Sequence, residues 1–196
     1  CNEDRGFDCE EGEDMTYDSE TLSVYDVQSS DLLYEYQFCV GPRDASDGYD
    51  DSGCTENGQS TFAEISKDGS SVVAHWNNHV FLFDINNEEV GWSKYFEDNV
   101  YQARITDTGD KVSVAVGEYV KYFGSTSSEP IWSSHLFGQV VSMDMSGSGQ
   151  HISAATSFMM IYSFDTSSSV PIWEYAHYQS IFDLVMSSSG SHVLVS

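Results

Sequence analysis

A chain of 196 residues with 40% hydrophobic and 14% aromatic residues is long enough to bury one substantial core. Its 32 acidic and 7 basic residues give a formal net charge of -25, which repels nucleic acid and anionic lipid and favours cations or cationic partners. No stretch approaches the roughly 18 to 20 apolar residues of a transmembrane helix, so no transmembrane segment is predicted.

The four cysteines, Cys1, Cys9, Cys39 and Cys54, all lie in the first third of the chain. Their spacing is unlike that of a zinc ribbon, so two disulfides are favoured over a metal site. Proximity favours Cys1 with Cys9 and Cys39 with Cys54, although four cysteines allow three pairings. Because disulfides persist outside the cytoplasm, the sequence predicts an extracellular or cell-surface protein. In the alternative, Cys1 is the lipidated first residue of an envelope scaffold.

Two acidic segments are candidates for cation binding. The N-terminal arm, residues 1–20, carries Glu10, Glu11, Glu13 and Asp14, and it could instead pack between subunits. The loop 39–60, bounded by cysteines, offers Asp44, Asp47, Asp50 and Asp51 around Gly48 as hard oxygen ligands for Ca²⁺. The alternative for the loop is a solvated acidic segment held by a disulfide.

Two sets of residues recur with a period near 40 in the rest of the chain. Turn glycines stand at Gly69, Gly109, Gly149 and Gly190, and tryptophans at Trp92, Trp132 and Trp173. Each period holds four short runs rich in β-branched and aromatic residues, separated by Gly, Ser, Asn and Asp turns. The pattern predicts an all-β fold, a β-propeller with four-stranded blades at 61–99, 100–139 and 140–180.

The two flanking segments each match half of a blade. Residues 181–196 match the first two strands, and residues 21–38 match the last two, with Asp26 eight residues before Tyr34 as Asp84 is before Trp92. Joined within one chain, the halves would close a four-bladed ring with one split blade. Joined between copies, they would build a larger ring or a filament. A third alternative is that further blades belong to a longer sequence.

The segment VFLFDINNEEVGW, residues 80–92, resembles the repeat of the quinoprotein-like (PQQ-like, WD40-like) β-propellers. Similar segments at residues 24–34, 122–132 and 163–173 extend the resemblance, although Gly124 replaces the turn Asp and Tyr34 replaces Trp. The resemblance implies that Trp92, Trp132, Trp173 and Tyr34 pack between blades. Members of this family include quinone-dependent dehydrogenases, outer-membrane assembly scaffolds and surface proteins, so the resemblance does not select an activity.

Alignment of the first strands brings a polar set together near the predicted propeller axis: Glu64, Arg104, Asp144 and Asp183. Residues at the alternate positions, such as Ala63 and Ile65, are expected in the core. A pair of axial carboxylates could hold a cation or act as acid and base. The alternative is a structural ion pair between Arg104 and Glu64 or Asp144.

Motifs of nucleophilic, phosphate-binding or dinucleotide-binding enzymes are absent from the sequence. His75 and His79 do not suggest a zinc site, because a tight hairpin between them would place them on opposite faces. We therefore expect a non-enzymatic extracellular module that associates with itself or with other extracellular proteins, with O-linked sugars on its Ser-rich loops as a further expectation. The alternative is a quinoprotein-like enzyme or ligand-binding propeller with Ca²⁺, although PQQ is not expected because such enzymes need long loops.

Overall fold

The computed structural model describes residues 21–37, 62–76 and 78–196. These ranges contain sixteen β-strands and no helix, and thus no helix that could cross a membrane. The chain divides into two compact units, Cys1–Cys54 and Thr55–Ser196.

The described part of the first unit is one antiparallel hairpin, formed by β1 (Thr21–Tyr25) and β2 (Leu32–Gln37). An Asx turn joins the strands: Oδ1 of Asp26 accepts hydrogen bonds from the backbone N–H groups of Gln28 and Ser29, each at 2.8 Å. Ser30 follows with a φ of 64°. A β-bulge between Val24 and Tyr25 shifts the register of the pair.

The second unit repeats a four-stranded antiparallel sheet, in which each strand pairs with the next along the chain. The first sheet comprises β3 (Phe62–Ile65), β4 (Ser71–Trp76), β5 (His79–Asp84) and β6 (Glu89–Tyr95). The second comprises β7 (Val100–Ile105), β8 (Lys111–Val116), β9 (Tyr119–Gly124) and β10 (Trp132–His135). The third comprises β11 (Val140–Met145), β12 (His151–Thr156), β13 (Met160–Asp165) and β14 (Trp173–Ala176). A two-stranded sheet of β15 (Leu184–Met186) and β16 (Val193–Val195) follows.

The same turn joins the first two strands of every repeat. A Ser or Thr hydroxyl accepts the backbone N–H five residues later, and a glycine in the left-handed region completes the turn. The hydroxyl residues are Ser66, Thr106, Ser146 and Ser187, and the glycines are Gly69, Gly109, Gly149 and Gly190. Because β15 and β16 are joined by this turn, they are the first half of a fourth repeat.

The hydrophobic core lies between successive sheets. Phe123 of the second sheet packs on Trp92 of the first with ring centroids 5.4 Å apart, and Phe164 of the third packs on Trp132 of the second at 5.5 Å. Both phenylalanines are fully buried, and burial of such a side chain is worth about 1.5 to 3 kcal/mol. Each repeat therefore depends on its neighbour to bury its apolar face.

For the residues that the structure describes, the prediction of an all-β fold with four-stranded antiparallel sheets is confirmed. The expectation that Ala63 and Ile65 are core residues is wrong, since Ala63 is exposed and Ile65 is 51% exposed. Their counterparts in the second sheet, Ala103 and Ile105, are buried. Within the second unit, the first sheet covers that face of the second sheet, and no other sheet of that unit covers the same face of the first.

Candidate functional site

The first strands of successive repeats, β3, β7, β11 and β15, lie side by side. Because side chains alternate along a strand, polar residues collect on one side of these strands and apolar residues on the other. The apolar positions that follow the polar ones, Ala103, Met143 and Leu184, are fully buried. We name the polar set the ladder; it consists of Glu64, Gln102, Arg104, Ser142, Asp144 and Asp183.

One row of the ladder connects each first strand to the next through carboxylates. Oε2 of Glu64 accepts the backbone N–H of Ile105 at 3.0 Å, and Oδ2 of Asp144 accepts that of Met186 at 2.7 Å. Between them, Nε of Arg104 donates to Oδ1 of Asp144 at 3.0 Å. The row thus bridges the first sheet to the second, the second to the third, and the third to the final hairpin.

A second row lies two residues earlier on the same strands. Oε1 of Gln102 accepts the backbone N–H of Met143 at 2.6 Å, and Oγ of Ser142 accepts that of Leu184 at 3.0 Å. The Ser142 hydroxyl also donates to Oδ1 of Asp183 at 3.1 Å. In both rows, side chains therefore satisfy backbone donors that a sheet edge would otherwise leave unpaired.

The ion pair of the ladder is largely shielded from solvent. The side chains of Arg104 and Asp144 are 16% and 17% exposed, and the guanidinium carbon lies 5.3 Å from the centroid of the Phe62 ring. The backbone N–H of Met145 adds a hydrogen bond of 2.9 Å to the carboxylate. Removal of one partner would leave the other charge poorly solvated, so the pair fixes the contact between the second and third sheets.

The Glu64 carboxyl group of the ladder is partly buried. Burial raises its pKa above the ordinary value, and this effect outweighs the nearby Arg104 and the hydrogen bond from Ile105, which both lower it. Burial therefore favours the protonated form of this carboxyl group more than water does. This is the chemistry that the arrangement offers, together with the hydrogen bonds between strands.

The structure brings the predicted axial residues Glu64, Arg104 and Asp144 together in one row and places Asp183 in the other row, where its Oδ1 accepts a hydrogen bond from Ser142. The predicted calcium ligands Asp44, Asp47, Asp50 and Asp51 lie outside the described residues, as do Cys1, Cys9, Cys39 and Cys54. Within the described ranges, no group of three or more His, Cys, Asp or Glu side chains is placed to hold a metal ion.

The predicted packing tryptophans differ in their surroundings. Nε1 of Trp92 donates to the carbonyl oxygen of Gly124 at 3.1 Å, and Nε1 of Trp132 donates to that of Thr166 at 2.8 Å, in each case across to the next sheet. Trp173 stands at the same position of the third sheet but is 43% exposed. Tyr34, at the corresponding position of the first unit, is buried.

The histidine hairpin has the predicted pairing, with Trp76 opposite His79 and His75 opposite Val80. His75 stacks on Phe62 and is buried, whereas His79 stacks on Phe81 with centroids 4.4 Å apart.

Sequence reasoning missed a series of backbone hydrogen bonds that joins the first turns of successive repeats. The N–H of Asp68 donates to the carbonyl oxygen of Asp107 at 3.1 Å, that of Asp107 to Gly147 at 2.8 Å, and that of Gly147 to Ser188 at 2.9 Å. A Ser or Thr three residues before each turn glycine was the available signal. That recurrence indicates that the turns are identical, but it does not reveal that they contact one another.

A comparison with protein-family models finds no match, and a comparison with curated proteins finds no significant match. The resemblance to quinoprotein-like propellers therefore stays a prediction based on the repeat residues.

Proposed function

We propose that this chain is a non-enzymatic β-propeller module that serves outside the cell as a structural or interaction element. The observation that carries this proposal is that the side-chain oxygen atoms of the ladder are engaged in hydrogen bonds between repeats. Oε2 of Glu64, Oε1 of Gln102 and Oδ2 of Asp144 accept hydrogen bonds from the next repeat, and Oδ1 of Asp144 accepts one from Arg104 of the preceding repeat. Polar groups engaged in this way hold the sheets together, and their oxygen atoms are already occupied by hydrogen bonds that a substrate would have to replace.

The propeller architecture is favoured by the constancy of the contact between sheets. The Trp–Phe contact and the Trp hydrogen bond to a carbonyl oxygen recur from the first sheet to the second and from the second to the third. Repetition of one contact between four-stranded sheets is typical of propellers. The extracellular setting is proposed from the four cysteines, and a calcium ion in the loop 39–60 is proposed from its aspartates.

The test is to ask whether the ladder binds a ligand or only stabilises the fold. Glu64→Gln and Asp144→Asn would be compared with Glu118→Gln, a control at an exposed carboxylate that contacts only His135 among the described residues. Ca²⁺ and PQQ would be titrated by calorimetry, followed by a dye-linked dehydrogenase assay. We expect Asp144→Asn to lower the free energy of unfolding, because it weakens the ion pair with Arg104, and both ladder variants to leave any Ca²⁺ binding unchanged. Loss of a saturable ligand or of dehydrogenase activity in those variants alone would overturn the proposal.

A further inference from the structure

Two phenylalanines that stack on each other are exposed at one edge of the sheets. Phe137 lies in the connection from β10 to β11, and Phe158 lies in the turn from β12 to β13. Their ring centroids are 4.7 Å apart, yet the two residues are 66% and 55% exposed. We name them the aromatic pair. The pair joins the second sheet to the third, so a described repeat lies on each side of it.

The contact between the first and second sheets carries carboxylates at the same two positions. The N–H of Ser157 donates to the carbonyl oxygen of Gln139 at 2.8 Å, and the residues one repeat earlier make the same hydrogen bond at 3.0 Å. By this alignment, Glu97 and Glu118 correspond to the aromatic pair, and both are exposed. Because exposed carboxylates serve at these positions, packing of the sheets does not require aromatic rings there. Exposed rings without a role in packing indicate a binding surface.

The backbone holds the aromatic pair in one arrangement. Gly138 has a φ of 95°, and a Cβ at this position would collide with the ring of Phe158. The N–H of Phe137 donates to the hydroxyl oxygen of Tyr162 at 3.4 Å. Met159, next to Phe158, has a φ of 62°. Rings that are already positioned lose little conformational entropy when a ligand binds.

The charge near the aromatic pair indicates which kind of group it attracts. The carbonyl oxygen of Glu118 accepts the N–H of Leu136 at 2.8 Å, which places Glu118 beside the residue that precedes Phe137. Its carboxylate contacts His135 at 3.1 Å and is 47% exposed. The chain as a whole carries a formal charge of -25. The faces of aromatic rings attract cations, and nearby carboxylates add to that attraction.

The ladder already combines an arginine, an aromatic ring and a carboxylate. The guanidinium carbon of Arg104 lies 5.3 Å from the centroid of the Phe62 ring, while Nε donates to Asp144. Nζ of Lys121 lies 4.8 Å from the centroid of the Tyr119 ring. Arginine suits such a site better than lysine, because its planar guanidinium can stack on a ring and still donate to a carboxylate.

We propose that the aromatic pair, with the carboxylates of Glu97 and Glu118, binds a basic, arginine-containing segment of another protein. This inference rests on the proposed interaction function and names the chemistry of the partner. The 196 residues contain no basic segment of their own, since no two of the 7 Lys and Arg residues lie closer in sequence than Arg104 and Lys111. An arginine of the partner stacks on the aromatic pair, and neighbouring basic side chains pair with the two glutamates.

The experiment titrates the full chain into a short fluorescent peptide of alternating arginine and glycine, with anisotropy as the readout. The matched peptide carries citrulline, the uncharged analogue of arginine. We expect the arginine peptide to bind saturably and more weakly as the salt concentration rises. The citrulline peptide should bind at least about 10-fold more weakly.

Substitution of the aromatic pair separates this surface from the general attraction of an acidic protein. Phe137→Ala combined with Phe158→Ala should weaken binding of the arginine peptide about 10-fold. Val170→Ala combined with Ile172→Ala removes two other exposed apolar side chains of the second unit and should leave the affinity unchanged. Circular dichroism during thermal unfolding verifies that both double variants are folded.

The carboxylates provide a second comparison. Glu118→Gln should weaken binding about 3-fold, whereas Glu174→Gln, at an exposed carboxylate of β14, should change the affinity by less. The inference is overturned if the arginine peptide does not bind, or if the unmodified chain and the double phenylalanine variant bind it equally. Equal binding of the citrulline peptide would also overturn it, because the partner would then be uncharged. None of these substitutions lies in the ladder, so their outcome is distinguishable from failure of the proposed function in its ligand titration.

Discussion

Trp92 and Trp173 occupy the same position of the repeat in the first and third sheets, and their environments are opposite. Trp92 lies against Phe123 with its indole nitrogen bonded to a carbonyl of the next sheet, whereas Trp173 is 43% exposed. The sequence around each is that of a fourth strand. The third strand of the following repeat carries Phe123 and covers Trp92, whereas the second unit as described places no such strand against Trp173. Burial of this position is therefore decided by the neighbouring repeat.

Ile65 and Ile105 show the same contrast on the other side of the sheets. Ile105 is buried against the first sheet, and Ile65 is exposed. The repeat therefore has two apolar faces, and a face becomes core when a further repeat covers it. Each of the following predictions compares a covered position with its uncovered counterpart, or a contact between sheets with a contact inside a turn.

The largest expected effect is the difference in free energy of unfolding between substitutions of the two tryptophans. Trp92→Ala should lower the free energy of unfolding by about 3 to 5 kcal/mol, because it opens a cavity beside Phe123 and leaves a carbonyl without its donor. Trp173→Ala should cost about 1 kcal/mol or less, since the side chain is already half in solvent. Urea denaturation at concentrations where the chain is monomeric measures both. Equal losses would contradict the idea that the next repeat determines burial.

The ion pair of the ladder should give the next largest effect. Asp144→Ala removes the partner of Arg104 and the acceptor for the N–H of Met186, and it should cost about 2 to 4 kcal/mol. Glu118→Ala breaks only an exposed contact with His135 among the described residues and should cost less than about 0.5 kcal/mol. The same denaturation series compares them. A small loss for Asp144→Ala would mean that the apolar contacts alone hold the third sheet in place.

These two predictions also mark what the sequence could reveal. Period, strand number per repeat and the alignment of Glu64, Arg104 and Asp144 follow from Gly and Trp spacing, because turns and inward side chains recur at fixed intervals. The exposure of Ile65 and Trp173 does not follow from any local pattern, since their neighbours in the sequence are those of buried residues. The acceptors of the ladder were equally hidden: Glu64 bonds the N–H of Ile105, and a backbone donor has no signature in the sequence.

Two turn glycines offer a smaller but closely matched comparison. Gly69 and Gly109 have φ values of 75° and 71°, so an alanine at either position should cost about 1 kcal/mol in backbone strain. A Cβ at Gly109 would also lie 2.7 Å from Cβ of Ser71 in the first sheet, whereas nothing lies within 4 Å of a Cβ at Gly69. We therefore expect Gly109→Ala to cost about 1 kcal/mol more than Gly69→Ala. Thermal unfolding followed by circular dichroism measures the difference, and equal shifts would show that the turns do not press on the neighbouring sheet.

The smallest expected effect is a difference in pH dependence between Asp110, a carboxylate in a turn, and Glu64, a carboxylate of the ladder. The quantity compared is the contribution of each group to the free energy of unfolding. Burial opposes ionisation of Asp110, but hydrogen bonds from Lys111, Thr108 and Thr106 outweigh it and lower its pKa from 3.8 to about 2. The stability that Asp110 contributes is complete above pH 3.8 and is lost as the pH falls towards 2. The Asp110 side chain is half exposed, so we expect this contribution to be about 1 kcal/mol after solvent screening.

The stability that Glu64 contributes should change with pH in the opposite direction, because burial raises its pKa above 4.5. Its protonated form is favoured in the folded chain, so the stability gained from it is complete below pH 4.5 and is lost as the pH rises through the raised value. In a series of urea denaturations from pH 2 to 7, Asp110→Asn should flatten the acidic limb, and Glu64→Gln should flatten the fall at higher pH. If Glu64→Gln instead steepened that fall, the attraction to Arg104 would outweigh burial, and the ladder would be held by charge more than by hydrogen bonds to the backbone.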